Sequence, residues 1–267
     1  MLAALGRALA PFGLNLIGAT TPAAYDALVP RSHRLGAVDA GAIVVIGNGG
    51  AAFWLAYRAH LARRPEAASP HPLDAFTVGV LREHALPVAA RVGARAVLRL
   101  PFEDAERPLS FVHLAEAAGL GRRSLLGVLV HPEFGPWMAL RGALLVDAAP
   151  PAPRPAAGFD PCPSCRERPC LVACPAGAVA HPAGWDVAAC VDHRIAREDA
   201  GANPCPDRCH ARVACVYGRA HRYPDDALAY HHARAFTAVR ALAAARRSPA
   251  ADATRGQRRS HERGSGA

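Results

Sequence analysis

The feature that most constrains this chain is the placement of its cysteines. All eight lie between Cys162 and Cys215, and no cysteine precedes them. The first four have the spacing C-x2-C-x4-C-x3-C-P, and the last four are separated by 14, 3 and 5 residues. A fold that uses all of these thiols must therefore build its sites from this one short stretch of chain.

The first run predicts an iron–sulfur site. Bacterial ferredoxins use C-x2-C-x2-C-x3-C-P, in which the cysteine before proline ligates the other of two clusters. The run here has the same order with two additional residues in its middle gap. Two four-thiolate clusters need eight cysteines, so we predict two 4Fe-4S clusters with these metal ligands: Cys162, Cys165, Cys170, Cys174, Cys190, Cys205, Cys209 and Cys215.

Zinc is the main alternative for these thiols. Zinc sites commonly mix cysteine and histidine, and His181, His193 and His210 lie in the same segment. Structural zinc sites favour repeated C-x2-C pairs, however, and this sequence has one such pair. Iron–sulfur ligation is therefore the preferred interpretation, and a zinc-stabilised nucleic-acid-binding module remains open.

Charge and hydropathy restrict location and partners. The formal net charge is +9, and all 31 basic residues are arginine. The arginines are scattered or lie in the C-terminal tail, which is typical of a solvated surface. Met1–Ala10 lacks the long apolar core of a secretory signal, and Ala40–Tyr57 contains too many glycines for a convincing membrane span. We expect a cytoplasmic protein with no membrane partner.

The pattern of apolar residues predicts an α/β or α+β core domain within a chain of four regions. They are a core domain at 1–147, a proline-rich linker at 148–159, a cysteine-bearing domain with a C-terminal helix at 160–246, and a disordered basic tail at 247–267. Predicted strands are Ile43–Ile46, Val88–Leu100, Leu125–Val130 and Met138–Val146. Predicted helices are Ala51–Leu61, Pro72–Leu86, Leu109–Ala118 and Ala227–Arg246.

A glycine-rich stretch follows the first predicted strand. Gly47, Gly49 and Ala52 formally fit G-x-G-x-x-A, which binds dinucleotides between a strand and a helix. The acidic residue expected about twenty positions later is not evident, because Asp74 lies in a predicted helix. We therefore interpret these glycines as a tight turn.

Three stretches of this sequence resemble the epoxyqueuosine reductase family, whose members are iron–sulfur proteins that reduce a modified tRNA base using cobalamin. Ala117–Leu126 is similar to the family's A-G-L-G-x-x-G-K-N-x-L segment, and His131–Leu140 to its H-P-x-x-G-S-W turn. Cys162–Ala178, followed by Asp186–Cys190, resembles its ferredoxin-type module. The likeness covers roughly residues 85–215.

The resemblance implies a nitroreductase-like core that binds cobalamin, with FMN less favoured, followed by a small two-cluster ferredoxin-like domain. It implies candidate cofactor-binding residues in the A-G-L-G stretch, namely Gly119, Gly121 and Arg123, and a guanidinium there suits a phosphate or propionate. Carried over by position, one cluster takes Cys162, Cys165, Cys170 and Cys215, and the other takes Cys174, Cys190, Cys205 and Cys209.

Departures from the family pattern bear on the reaction. The last three cysteines are spaced C-x3-C-x5-C without the closing proline, and Arg122–Ser124 replaces G-K-N. The family's catalytic acid, in a D-T-A-P-like segment, has no match; Glu103 and Asp104 lie nearby, but the motif is absent. The family's C-terminal repeat-type domain, which helps bind tRNA, has no counterpart after the cysteines, so the sequence gives little support to tRNA binding.

The sequence thus predicts an iron–sulfur redox protein that takes electrons from a partner protein and passes them to a cofactor, or to a small-molecule or modified-base substrate. The alternative is a ferredoxin-like electron carrier without catalysis of its own. No catalytic residue is assigned. Structural roles in turns, helix surfaces or the core are expected for the other candidates: His131, His221, His231, His232, Trp54 and Trp137.

Overall fold

The computed structural model describes residues 1–64, 69–103, 108–149 and 158–247. Most of the predicted linker, nearly all of the predicted basic tail, and Asp104 lie outside these residues. Helices and sheet are mixed throughout the described chain. Among the helices within these ranges, none is both long and apolar enough to cross a membrane.

A four-stranded antiparallel sheet forms the centre of the first part of the chain. Its strands are β1 (Leu16–Thr20), β2 (Ala42–Gly49), β3 (Ala96–Arg99) and β6 (Met138–Val146), in the order β1-β2-β6-β3. Every residue of β2 is buried, because this strand is central and both faces of the sheet are covered. Two short hairpins lie outside the sheet: β4 (Arg122–Arg123) with β5 (Leu129–Val130), and β7 (Val179–Ala180) with β8 (Gly184–Trp185).

Helices cover the sheet on both sides. Alternate residues of β2 belong to different apolar clusters, with Val44 and Ile46 in one cluster and Ile43 and Val45 in the other, as the two-residue repeat of a strand requires. The helices are α1 (Leu2–Leu9), α2 (Pro22–Asp26), α3 (Ala52–Arg63), α4 (Pro72–Val80), α5 (Leu86–Arg91), α6 (Phe111–Ala117), α7 (Pro161–Ser164), α8 (Pro169–Ala173), α9 (Val187–Asp199), α10 (His210–Ala214) and α11 (Asp225–Arg247). Helices α1, α3, α4 and α5 contribute to the first cluster, and α2 and α6 to the second.

Two predicted strands differ from the observed elements. The segment predicted as a strand at Val88–Leu100 contains the end of α5 and only the four-residue β3. Helix α4 continues through a π-helical turn, Leu81–Ala85, into α5, and burial of Val88 and Ala89 against the core outweighs their apparent alternation. The strand predicted at Leu125–Val130 is reduced to β5, because Gly127 introduces a turn.

The glycine-rich stretch is structural, but Gly47 and Gly49 continue a strand and do not form the tight turn that we predicted. Gly47 and Gly49 lie inside β2, and neither forms a phosphate-binding loop. A Cβ on Gly47 would lie 2.6 Å from the Ala139 carbonyl oxygen, and a Cβ on Gly49 would lie 2.3 Å from the Phe134 ring. Close approach of the neighbouring chain therefore explains both glycines.

The cysteine-bearing segment packs directly on the turn between β5 and β6. The Arg212 guanidinium donates two hydrogen bonds to the Pro136 carbonyl, the longer with an N–O distance of 3.1 Å. Trp137 is fully buried, with its ring 5.7 Å from that of Tyr223. These contacts fix the position of the cysteines relative to the sheet.

Candidate metal centre and adjoining cavity

Four cysteines line one small cavity between α7, α8 and the end of α10. They are Cys162, Cys165, Cys170 and Cys215. Helices α8 and α10 pack against each other, which brings the last of the eight cysteines back to the beginning of the run. Burial raises the pKa values of Cys162, Cys170 and Cys215, and neighbouring thiols of the group raise them further.

Backbone amides point at this first thiol group. The Leu125 N–H donates to the Cys162 sulfur at 3.4 Å, and the Tyr217 N–H donates to Cys215. Both bonds favour the thiolate and lower the pKa of these cysteines against the effect of burial. Amide donors aimed at sulfur are also the contacts that tune cluster potentials, so the donor set suits a ligated thiolate.

The remaining four cysteines form a second group around α9. Cys174, Cys190, Cys205 and Cys209 are close enough to interact electrostatically. Burial, followed by repulsion from Cys209, raises the pKa of Cys205 to about 11. Burial also raises the pKa of Cys190, against a hydrogen bond from the Trp185 side chain that lowers it.

The thiols are thus gathered in the same two sets of four that the family resemblance implies. Their ligation of clusters stays a prediction. Among the described residues, no three His, Cys, Asp or Glu side chains are arranged to hold one metal ion. A 4Fe-4S cluster takes one thiolate at each of four iron atoms, so its ligands surround a volume and do not converge on a single point.

A larger cavity of about 740 Å³ adjoins the first thiol group. It lies between α6, the β4–β5 hairpin and the β7–β8 hairpin, and Leu125 lines both this cavity and that of the thiols. Its volume falls within the range typical of small-molecule and cofactor sites, about 300–1,000 Å³.

The three candidate cofactor-binding residues occupy different places at this cavity. Arg123 lines it directly. Gly119 ends α6 with a φ of 73°, and a Cβ on Gly121 would lie 2.7 Å from the Val130 carbonyl oxygen. The two glycines therefore shape the backbone that carries Arg123, and they do not line the cavity.

Glu116, which sequence reasoning missed, holds the two arginines of the cavity. Its carboxylate is 9% exposed and lies 2.7 Å from the Arg123 Nε and 3.8 Å from an Arg122 Nη. His113, one turn earlier on α6, lies 3.3 Å from an Arg123 Nη, and burial followed by Arg123 lowers its pKa. An acid on the last turn of a helix before an Arg-Arg pair was the signal that could have identified it.

The other polar candidates have structural partners. Glu103 bonds to Arg99 and to the Leu100 amide. The His131 ring accepts hydrogen bonds from the Glu133 and Phe134 amides, which is the expected role in a turn. Glu103 and His131 therefore have local functions.

Neighbouring histidines on α11 point in different directions, as expected for adjacent helical residues. His231 packs against the rings of Trp54 and Tyr223. His232 bonds through Nε2 to the Cys205 carbonyl at 2.9 Å. Trp54 is a core residue, so this set of candidates contributes to packing and to support of the second thiol group.

Comparison with known proteins gives one relative in sequence and several in fold. No family model matches the chain. A curated epoxyqueuosine reductase from Synechococcus sp. (strain RCC307) is 39% identical over 93 residues, which are 34% of this chain and 28% of that protein. The matched segment therefore spans little more than a quarter of the curated relative.

Solved structures of two epoxyqueuosine reductases share the fold. The enzyme from Streptococcus thermophilus is 15% identical, with a TM-score of 0.54 over 82% of this chain and 66% of that one. The enzyme from Bacillus subtilis is 18% identical, with a TM-score of 0.51 over 83% of this chain and 66% of that one. The chain is therefore similar in sequence to one epoxyqueuosine reductase over 93 residues, and it shares the fold of two solved ones.

Proposed function

We propose that this protein is an oxidoreductase that binds two 4Fe-4S clusters and passes electrons to an acceptor in the cavity at Arg123. The observation that carries the proposal is the position of Leu125. This residue lines the cavity, and its amide donates to the Cys162 sulfur 3.4 Å away. An electron on the first cluster would therefore be adjacent to whatever the cavity binds.

The cluster ligands follow from the two thiol groups. The first cluster would take Cys162, Cys165, Cys170 and Cys215, and the second Cys174, Cys190, Cys205 and Cys209. Burial and mutual repulsion disfavour several of these thiolates in the free protein, and coordination to iron removes that penalty. In this proposal 160–246 is a ferredoxin-like domain on a nitroreductase-like core at 1–147.

The acceptor that we propose is cobalamin, with FMN as the alternative. A cofactor of either kind supplies the redox-active centre, and the chain supplies binding and orientation. Arg122 and Arg123 offer guanidinium groups to a phosphate or propionate, and both are held in place by Glu116. The fit is one of volume and of polar groups: the wall of this cavity carries two arginines together with two acids, Glu116 and Asp160.

A modified base or another small molecule is the proposed substrate, and a separate redox protein the proposed electron donor. Clusters of this type require a reducing compartment for their thiols, which favours the cytoplasm. The match covers 66% of the length of the solved reductases, so neither the substrate nor tRNA binding is carried over from them as a finding.

Cysteine variants test the two-cluster assignment. Cys165→Ala is expected to abolish one 4Fe-4S signal in electron paramagnetic resonance of the reduced protein, and Cys205→Ala the other. Val172→Ala, at an exposed position of α8 between two of the cysteines, is the matched control and should keep both signals. Loss of both signals from either cysteine variant in folded protein, or of neither, contradicts two independent sites.

Titration with cofactor tests the acceptor. The anaerobic protein is titrated with cobalamin and, separately, with FMN, and binding is followed by absorbance. Saturable binding of one cofactor with 1:1 stoichiometry supports the oxidoreductase. Absence of binding by both would leave the clusters but remove the proposed acceptor.

A specific observation favours a ferredoxin-like electron carrier as the second candidate. Val172, between Cys170 and Cys174, is 91% exposed, so an apolar side chain lies on the surface beside both groups of thiols. A carrier would use such a surface to meet a partner. The carrier predicts cluster reduction by a partner without any cofactor binding in the 740 Å³ cavity.

A further inference from the structure

Each thiol group is accompanied by one arginine whose Nε is buried and has no hydrogen-bond partner. Arg168 lines the cavity of the first group, and Arg194 interacts electrostatically with three cysteines of the second. The Nε atoms of both side chains are inaccessible and unpaired. Buried guanidinium groups normally have such partners, so this repeated arrangement requires an explanation.

Arg194 is held against the second group by two helices. It lies four residues after Cys190 on α9, so the two side chains share one face of the helix. The residue is 7% exposed, and its guanidinium carbon lies 3.9 Å from the centre of the Phe236 ring on α11. Glu198, a nearby carboxylate, bonds to Arg240 at 3.1 Å.

Arg168 lies in the part of the first run that is longer than in bacterial ferredoxins. The residue has a φ of 41°, a left-handed conformation that is unfavourable for a residue with a side chain. This backbone carries its side chain back toward Cys162, with which it interacts electrostatically. The additional residues between Cys165 and Cys170 thus deliver a cation to the site.

An anion at each site would account for both arginines. A buried guanidinium Nε without a partner is costly, and neutral thiols provide no negative charge to offset this cost. Four thiolates around an iron–sulfur cluster do, and one-electron reduction adds one further negative charge. A cation fixed beside the cluster therefore stabilises its reduced form more than its oxidised form.

We propose that Arg168 and Arg194 each raise the reduction potential of the cluster at their own thiol group. The inference rests on the proposed function, because it requires both clusters to be present. It adds a role for residues of this chain that touch no acceptor and act on the clusters through charge.

Redox titration of the full chain, reconstituted anaerobically and followed by electron paramagnetic resonance, tests the inference. Arg194→Gln should lower one of the two midpoint potentials, and Arg168→Gln the other. The expected effect is at least a tenfold fall in the ratio of reduced to oxidised cluster at fixed potential, which for one electron corresponds to a shift of about 59 mV.

Exposed arginines close in sequence provide the controls. Arg197→Gln, on α9, and Arg166→Gln, in the first run, remove the same charge at exposed positions and should leave both potentials unchanged. Arg194→Lys and Arg168→Lys retain a cation and should keep potentials near those of the original chain. If a Gln variant loses its cluster, the corresponding Lys variant provides the test. The Lys variant keeps the positive charge, so a roughly tenfold fall in its ratio of reduced to oxidised cluster would overturn the proposal.

Unchanged potentials in fully loaded Gln variants also overturn the inference, as does an equal shift in the exposed controls. Failure of the proposed function is a different result, because the unsubstituted chain would then contain no iron–sulfur signal at all. The two failures are therefore distinguishable in one series of samples.

Discussion

Two glycines allow the backbones of the core and of the cysteine-bearing segment to approach closely. A Cβ on Gly135 would lie 2.2 Å from the Tyr217 carbonyl oxygen, and a Cβ on Gly218 would lie 2.2 Å from the Phe134 carbonyl oxygen. Both glycines have positive φ, 57° and 65°. The approach requires an absent side chain on each partner, and it positions the segment that follows Cys215.

The first prediction concerns this contact. Gly135→Ala should lower the free energy of unfolding by about 2–5 kcal/mol, since it adds left-handed strain to overpacking against a backbone. Gly36→Ala is the control, because Gly36 has a φ of 66° but no atom within 4 Å of the position that a Cβ would take; it should cost about 1–2 kcal/mol. Melting temperatures measured by calorimetry compare the two variants. An equal fall in melting temperature would show that the contact at Gly135 does not contribute to stability.

The second prediction concerns His231. Burial, followed by the charges of Arg141 and Arg212, lowers its pKa to about 3. The unfolded chain, with a histidine pKa near 6.5, binds the proton first as pH falls. The stabilising contribution is therefore complete above pH 6.5 and is lost between pH 6.5 and about 3.

Between pH 6.5 and 5 this linkage should remove about 2 kcal/mol from the free energy of unfolding. Urea unfolding at several pH values measures it. His231→Phe keeps an aromatic ring without a titrating group, so the free energy of unfolding should depend less steeply on pH in this window, and the part due to His232, whose pKa burial lowers to about 4, should remain. His71→Phe, at an exposed position, is the control. A His231→Phe variant with the unaltered pH dependence would contradict the assignment.

At the scale of elements, α6 and the β4–β5 hairpin build the wall of the proposed acceptor cavity. The third prediction is that Arg123→Gln weakens binding of the cofactor roughly 10- to 100-fold, the loss expected for one charged hydrogen bond. Arg91→Gln, exposed at the end of α5, is the control and should bind normally. Absorbance titration measures both, and unchanged affinity in Arg123→Gln would remove this residue from the site.

Helix α9 is the element that carries ligands and charge to the second thiol group. Asp186 caps it by accepting a hydrogen bond from the Ala189 amide at 2.9 Å. The fourth prediction is that Asp186→Ala lowers the free energy of unfolding by about 1 kcal/mol and accelerates loss of iron from the second group, because Cys190 lies on the first turn. Asp186→Asn retains an acceptor and should behave nearly as the original chain.

The rate at which a chelator removes iron, followed by absorbance, measures this effect. Equal rates of iron loss in Asp186→Ala and Asp186→Asn would contradict the role of the cap.

Helices and strands were predictable from the sequence where the pattern of apolar residues was compatible with only one of the two. The strand predicted at Met138–Val146 has the observed bounds of β6, and the predicted helix at Pro72–Leu86 was confirmed in position. Val88–Leu100 was misassigned because burial within a continuing helix decides that segment. Pairing of β2 with β6, about a hundred residues apart, leaves no local signal in either strand.

The site was predictable to a similar degree. Cysteine spacing identified the residues that the fold gathers, because ligand spacing is a local property of the chain. Glu116 and Arg194 were not found, since their importance comes from burial beside other elements. The spacing of residues in the sequence does not indicate which of the scattered arginines becomes buried in the fold.

At the scale of the whole molecule, the two thiol groups join distant parts of the cysteine-bearing segment. Cys215 returns to the group that Cys162 begins, and Cys174 leaves that run for the group on α9. The first group also contacts the core through the Leu125 amide. Occupied clusters would therefore hold the segment together and fix it against the proposed acceptor cavity.

The most direct test of the account is the content of iron and acid-labile sulfide in the full chain after anaerobic preparation. Two 4Fe-4S clusters predict about eight iron and eight sulfide per chain. Zinc bound at these cysteines in the absence of sulfide would contradict the central claim.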